Sequence, residues 1–285
     1  MNIQVIQVPY DSGHRSLRAG SGPEHMVDNG LAQALQKEGH EVSVETVETE
    51  MKFRAEVQTQ FELYRTLAGR VAQARRNSQF PLILSGNCGA TLGAIADVDA
   101  TRLGIVWFDA HGEFNTPETT GSGFLDGMGL AIATGHCWTR LAASIPGFHP
   151  IPASNILLIG GRDFDDGEQD RLEESGITIV DYATLTQTGV QETLKSRLSE
   201  LAGNVDEIHI HIDPDVFDSK EAPANSFQFL AEGGMSVAQL SEVIALVSND
   251  LKITSATIAS FEPAYDPQAR TLSALFRLIK QILSP

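Results

Sequence analysis

Eight short apolar runs recur along this 285-residue chain, with longer amphipathic stretches between most of them. They are Ile3–Val8, Glu41–Val47, Pro81–Ser85, Gly104–Asp109, Asn155–Gly160, Ile177–Val180, Glu207–Asp213 and Thr254–Ser260. Runs this short and this apolar read as strands buried on both faces, and helix-like crossovers between them call for parallel pairing. The predicted helices are Pro23–Glu38, Ala55–Asn77, Cys88–Asp97, Gly167–Ser175, Thr184–Leu201, Ser236–Asn249 and Pro267–Leu283, with a further one around Asp126–Thr134. The expected class is therefore α/β: three layers, α/β/α, around an eight-stranded, mostly parallel sheet. The nearest candidate for a break, Gly147–Ala153, reads as a surface loop because the alternation continues across it. One domain spanning residues 1–285 is expected.

The polar residues that interrupt this pattern fall at the ends of the runs. Cys88 follows Pro81–Ser85, Asp109 ends its run with His111 just beyond, Asp165 follows Asn155–Gly160, Asp213 ends its run, and Glu262 follows Thr254–Ser260. Ligand crevices of open parallel sheets lie at the carboxyl ends of the strands, so separate loops deliver these groups to one edge. Asp109, His111 and Glu113 stand at alternate positions, as do Asp213 and Asp215, and an extended segment would put each set on one side. Five such groups, four of them acidic, repel one another unless a divalent cation, and more readily two, sits among them.

Composition narrows the partners. A formal net charge of −17 leaves no Lys/Arg surplus for a phosphate backbone and speaks against nucleic acid. It favours cationic small molecules near the surface, although acidic surfaces also serve solubility alone. No stretch approaches the ~20 apolar residues needed to span a membrane. Met1–Val5 reads as a first strand and not as a signal peptide. Two cysteines, Cys88 and Cys137, make no disulfide framework, which fits a reducing cytoplasm. Cys137, beside His136, reads as packing. His14, His25, His40, His149 and His209 lack ligand spacing. His209 and His211 alternate on the run leading to Asp213 and read by default as satisfied core histidines.

Taken together, Gly86-Asn87-Cys88, Asp109-Ala-His111-Gly-Glu113, Ser122-Gly-Phe-Leu-Asp126-Gly-Met128, Asp213-Pro-Asp215 and Glu262 resemble the arginase/agmatinase family, the ureohydrolases. The resemblance spans nearly the whole chain. It implies hydrolysis of a guanidinium group by hydroxide held between two Mn²⁺ ions. It further implies Asp109 and Asp213 bridging the metals, Cys88 and Glu113 completing one shell, and His111 and Asp215 the other. Glu262 matches the glutamate that pairs with the guanidinium, and a planar cation suits a carboxylate that accepts two N–H bonds. Asn115, Thr120 and Ser122 fall on the loop that holds a substrate α-carboxylate. Asp165 matches the direct partner of an α-ammonium, with Glu168 acting through water. The same Asn-Thr-Pro and Gly-Ser-Gly stretches also read as plain turn chemistry.

Three positions depart from the arginase pattern. Cys88 stands for the usual histidine, Glu113 for aspartate, and Asp126 for a histidine that assists proton transfer. A thiolate suits Zn²⁺ or Fe²⁺ better than Mn²⁺, so other divalent metals are open. Alternatively, Cys88 is a small buried hydrophobe that binds nothing. The set resembles the subgroup that includes the Nω-hydroxy-L-arginine amidinohydrolase, whose products are hydroxyurea and L-ornithine. Phe227 falls where arginases place a small hydroxyl residue, so the pocket should differ there. The favoured substrate is Nω-hydroxy-L-arginine, with L-arginine and peptidyl arginine as alternatives. A member with a degraded metal site acting as a binding subunit is the reading of another class. A homo-oligomer is compatible with the family.

Overall fold

The computed structural model describes residues 1–50, 52–224 and 231–284. Its strands, in chain order, are β1 (Asn2–Val8), β2 (Tyr10–Asp11), β3 (His14–Arg15), β4 (Glu41–Thr46), β5 (Phe80–Ser85), β6 (Leu103–Phe108), β7 (Ile156–Ile159), β8 (Thr178–Val180), β9 (Glu207–Ile212) and β10 (Ile253–Ile258). Eight of them form one sheet in the order β4-β1-β5-β10-β9-β6-β7-β8, with every pairing parallel. The period of two along each strand splits its side chains between two cores. Val106 and Phe108 of β6 and Ile208, Ile210 and Ile212 of β9 pack on one face, under helices Val190–Asn204, Val237–Asp250 and Arg270–Ile282. Ile105 and Trp107 join the other face with Phe61, Leu67 and Val71 of helix Glu56–Arg76. The expected three-layer architecture is observed.

Topology then places the crevice. From β6 the chain moves outward to β7 and β8, whereas β9 returns to the other side of β6 and leads on to β10. The exits of β6 and β9 thus run in opposite directions along the sheet, and a cleft opens between neighbouring strands where the order reverses. Register makes Phe108 the partner of Ile212, so Asp109 and Asp213 leave adjacent central strands at the same level.

Local structure departs from the sequence expectations mainly where glycine intervenes. The helix expected over Pro23–Glu38 is two, Gly22–Asp28 and Leu31–Lys37, because Gly30 adopts φ +92°. The helix expected over Thr184–Leu201 likewise divides into Tyr182–Thr188 and Val190–Asn204 at Gly189. The stretch Cys88–Asp97 is a 3₁₀ turn, Cys88–Ala90, and one helical turn, Thr91–Ala94. Asp126–Thr134 is similarly a 3₁₀ turn, Asp126–Met128, leading into helix Gly129–Ala133. The hairpin β2–β3 was not anticipated. Ser12 and Gly13 turn it at φ +49° and +80°, the left-handed pair that a two-residue hairpin loop requires.

Candidate metal centre

Strand β6 stops at Phe108 and β9 at Ile212, so neither acidic run is extended and simple alternation does not align its ligands. Each run instead folds back through an aspartate turn. Asp109 Oδ1 accepts the His111 N–H at 2.8 Å, and Asp213 Oδ1 accepts the Asp215 N–H at 2.9 Å. The two turns lock together because the Ala110 N–H donates to Asp215 Oδ1 at 3.0 Å. Arg162 braces the second turn from below, donating to the Asp215 carbonyl at 2.7 Å. Beyond His111 the backbone reverses through Glu113 at φ +52°, a conformation that costs a non-glycine residue energy and aims this carboxylate inward.

Carboxylate and imidazole groups consequently crowd together. Asp109, His111 and Asp215 offer ligand atoms within 4.8 Å of one another, and so do Cys88, Asp109 and His211. His111 Nδ1 lies 3.1 Å from Asp215 Oδ2 and 3.4 Å from Asp109 Oδ1. Cys88 Sγ donates to Asp213 Oδ2 at 3.2 Å. Trp107 Nε1–H donates to Asp109 Oδ2 at 2.9 Å and orients it from within the core. Burial, reinforced by neighbouring carboxylates, pushes Asp213 and Glu113 well above the usual carboxylate range and lifts the Cys88 thiol as well. Burial alone would lower His111, but the charges of Asp215 and Asp109 outweigh it and hold its pKa well above the ordinary value. His111 thus takes up positive charge more readily among these carboxylates than it would in water. Glu113 Oε2 is buried with no hydrogen-bond partner. A set of buried acids that keep protons, an oxygen without a partner and a thiol at the same spot fits divalent cations, which replace those protons.

Asp126 sits behind Cys88. Its Oδ2 accepts from Asn87 Nδ2 at 2.8 Å and the Cys88 N–H at 2.9 Å, and its Oδ1 accepts the Gly89 N–H at 2.8 Å. The carboxylate thus satisfies the free N–H groups at the start of the turn that carries the thiol. Gln60 from helix Glu56–Arg76 holds Asn87 Oδ1 in turn. Burial pushes Asp126 up to about 7 despite these donors.

A cavity of about 480 Å³ lies above this cluster. Cys88, His111, Glu113, Asp126, Asp213 and Asp215 line its floor. Asn115, Thr120, Ser122, Asp165, Glu168 and Glu262 line its walls, and Asp109 lies fully buried beside it. Every site residue expected from the sequence is thus brought together. Their bonding adds detail. Asn115 Nδ2 donates to Asp165 Oδ2 at 2.7 Å, while Glu168 Oε1 accepts the Phe114 N–H at 2.9 Å and Oε2 accepts the Asp165 N–H at 3.1 Å. Glu168 therefore braces two loops. Gly112 admits it, since a Cβ there would come within 2.6 Å of the Glu168 carboxyl carbon. Thr120 Oγ1 accepts the Gly123 N–H at 3.0 Å, a turn at the rim of the cavity.

Asp11 and Arg18, joined by a 2.7 Å ion pair, also line the cavity beside Glu262 and carried no signal in the sequence beyond the Ser12-Gly13 turn. Phe227 lies outside the described residues. His211 departs from the default reading of a satisfied histidine: its Nε2 is buried and has no hydrogen-bond partner. Its alternation with Asp213 was the available signal.

The chain is similar in sequence and in fold to known arginases. The Arginase family model matches residues 1–284. An arginase of Bacillus caldovelox is 28% identical over 290 residues, covering 97% of this chain and 96% of that protein. An arginase of Bacillus subtilis (strain 168) is 27% identical over 293 residues, covering 99% and 97%. The crystal structure of arginase from Bacillus cereus superposes with a TM-score of 0.89 at 26% identity, covering 100% of this chain and 99% of that one.

Proposed function

This chain belongs to the arginase family, hydrolases of guanidino carbon–nitrogen bonds, and from that premise we propose that it acts on an arginine-like α-amino acid, Nω-hydroxy-L-arginine ahead of L-arginine. The observation that carries the reading is that one cavity is lined both by Cys88, His111, Glu113, Asp213 and Asp215 and by Glu262, Asn115 and Asp165. Its lining offers residue types that suit both ends of such a substrate.

Asp109 and Asp213 would bridge two cations, Mn²⁺ by family precedent, with Cys88 and Glu113 completing one set of ligands and His111 and Asp215 the other. When bound, such a pair makes hydroxide available near neutral pH and offsets developing negative charge. The chain's own groups do the rest. Glu262 accepts the guanidinium N–H groups and turns the carbon toward the floor. Asn115, Thr120 and Ser122 receive the α-carboxylate, and Asp165 the α-ammonium, with Glu168 holding Asp165 in place. Attack by water oxygen forms the new C–O bond and breaks the C–N bond to the side-chain nitrogen. That nitrogen takes one of the attacking water's protons and leaves as the amine of L-ornithine, the other proton staying with hydroxyurea, the second product.

The preference for the hydroxylated substrate rests on Asp126. Burial pushes its pKa up to about 7, but both of its oxygens are engaged by Asn87, Cys88 and Gly89, which leaves it poorly placed to carry a proton to the leaving amine. An N-hydroxyguanidine is less basic than a guanidine and needs less help from a cationic proton donor. The test is turnover by metal-reconstituted protein of Nω-hydroxy-L-arginine, L-arginine and α-blocked arginine, with hydroxyurea, urea and ornithine measured. Faster release of hydroxyurea supports the proposal, and faster release of urea reassigns the substrate to L-arginine. Turnover of only the blocked compound points to peptides. Metal binding without turnover of any of them points to a binding subunit.

A further inference from the structure

We propose that His211 is an additional ligand of the metal centre, forming with Cys88 and Asp109 a nitrogen, sulfur and oxygen site beneath the cavity floor. A ring nitrogen of His211, the Cys88 sulfur and an Asp109 oxygen lie within 4.8 Å of one another, and all three residues are buried. Atoms at these separations can surround one ion after small side-chain adjustments, since first-row metal–ligand bonds are about 2.0–2.3 Å long.

The surroundings of the ring favour ligation. Nδ1 is engaged by Thr91 Oγ1 at 2.8 Å, one turn after Cys88 on the same segment. That leaves Nε2, which is buried with no hydrogen-bond partner. A ligating histidine characteristically bonds through one nitrogen while the other donates to a neighbouring oxygen, which fixes its tautomer and tilt. The indole of Trp107, the register partner of His211 on β6, stacks on the imidazole with centroids 3.6 Å apart and planes 18° apart. The same indole donates to Asp109, so one side chain positions two of the three ligands. A ring held on its face and at one nitrogen loses little further freedom on binding an ion.

His209 provides an internal comparison. It faces the same layer, its Nδ1 is engaged by Ser255 Oγ at 2.8 Å, and its Nε2 is also without a partner. It belongs to no group of ligating atoms among the described residues. The position of His211 beside Cys88 and Asp109, and not the unpaired nitrogen alone, distinguishes it. A donor set of thiolate, imidazole and carboxylate is typical of Zn²⁺, Fe²⁺ or Co²⁺, while Asp109, His111 and Asp215 make a harder, oxygen-rich set. The two positions should therefore differ in metal preference.

The inference rests on the reading of this edge as a metal centre, and the experiment separates the two. Crystals of the full chain loaded with Zn²⁺ or Co²⁺, measured at the metal absorption edges, locate each ion by anomalous scattering. An ion about 2.0–2.2 Å from His211 Nε2 establishes the ligand. Ions held by Cys88 or Asp109 with the imidazole well outside bonding distance overturn it and leave the metal centre intact. No ion at all overturns the metal centre and this ligand with it. In solution, His211→Ala should weaken one of two sites by about 100-fold or more in competition with a chelator, and Thr91→Val by about 10-fold. His209→Ala should leave both affinities unchanged. Equal effects of His211→Ala and His209→Ala would mean general loosening of the core and would count against ligation.

Discussion

The Cys88 thiol meets the Asp213 carboxylate across 3.2 Å, although 125 residues separate them in the chain. A thiol donating to a buried acid shares one proton over two groups, both proposed as metal ligands once it is lost. Replacement by serine keeps the hydrogen bond and removes the soft donor. Cys88→Ser is expected to weaken Zn²⁺ binding by roughly 10-fold or more and Mn²⁺ binding much less. Competition titrations with a chromophoric chelator read this directly, and equal losses for both metals would show that sulfur does not ligate.

Asp126 is expected to position Cys88. Asp126→Ala would leave the N–H groups of Cys88 and Gly89 and the Asn87 amide unpaired in the interior. A buried donor left unsatisfied costs about 1–3 kcal/mol, so thermal melts of the metal-free variant should show a clear drop in Tm. Metal affinity should fall at the Cys88 position more than at His111. A variant with unchanged affinity and lower Tm would confine Asp126 to stability.

Protons and the proposed cations compete for Asp213 and Glu113, and Asp126 behind them titrates in the same direction. Burial lifts the Asp126 carboxyl from 3.8 to about 7 and raises Asp213 and Glu113 as well. A carboxyl whose pKa rises on folding binds a proton that the unfolded chain has released, so its stabilising contribution is full below the unfolded value and is lost as pH climbs through the folded one. For Asp126 that window runs from 3.8 to about 7. His209 and His211, held neutral by burial, gain stability as pH rises to about 6.5 and oppose this below that point. In chelator, Tm should therefore fall between about pH 6.5 and pH 7.5, and excess Mn²⁺ or Zn²⁺ should restore it most at the upper end. A metal-free Tm that climbs with pH over this interval would contradict the arrangement.

The two ends of the substrate should respond separately. Glu262→Gln removes the carboxylate proposed to face the guanidinium, and because Glu262 is only partly buried the loss should lie at the low end of the about 2–5 kcal/mol for a charge pair, roughly 30-fold or more in kcat/KM. The penalty should be similar for substrates with and without α-groups. Asp165→Ala should raise KM for the α-amino acid and leave a decarboxylated, deaminated analogue unaffected. Steady-state kinetics on both compounds check the pair, and a loss with Asp165→Ala on both would give that residue a structural role.

Much of this was legible before any coordinates. The apolar runs mark all eight strands of the sheet, and the acids at their ends mark the edge where the cavity opens. Boundaries were less legible, because Gly30 and Gly189 break helices that the periodicity carries straight through. Asp126 reads in the sequence as a substituted proton carrier, and in the fold it caps the turn of Cys88. That bond joins residues 38 positions apart, beyond the reach of any local pattern.

Periodicity and composition by themselves determined the layers, the parallel sheet and the candidate ligands, because strand and helix periods are properties of a few neighbouring residues. Only the tertiary structure decided how those ligands meet. The turns at Asp109 and Asp213 bring Asp109, His111 and Asp215 together where an extended chain would have spread them along a line. Strand order sets β9 beside β6, which stacks Trp107 on His211 and turns a histidine that looked like core packing toward Cys88 and Asp109. Which strands become neighbours is settled by burying both faces of the sheet at once, a global condition that no single segment encodes.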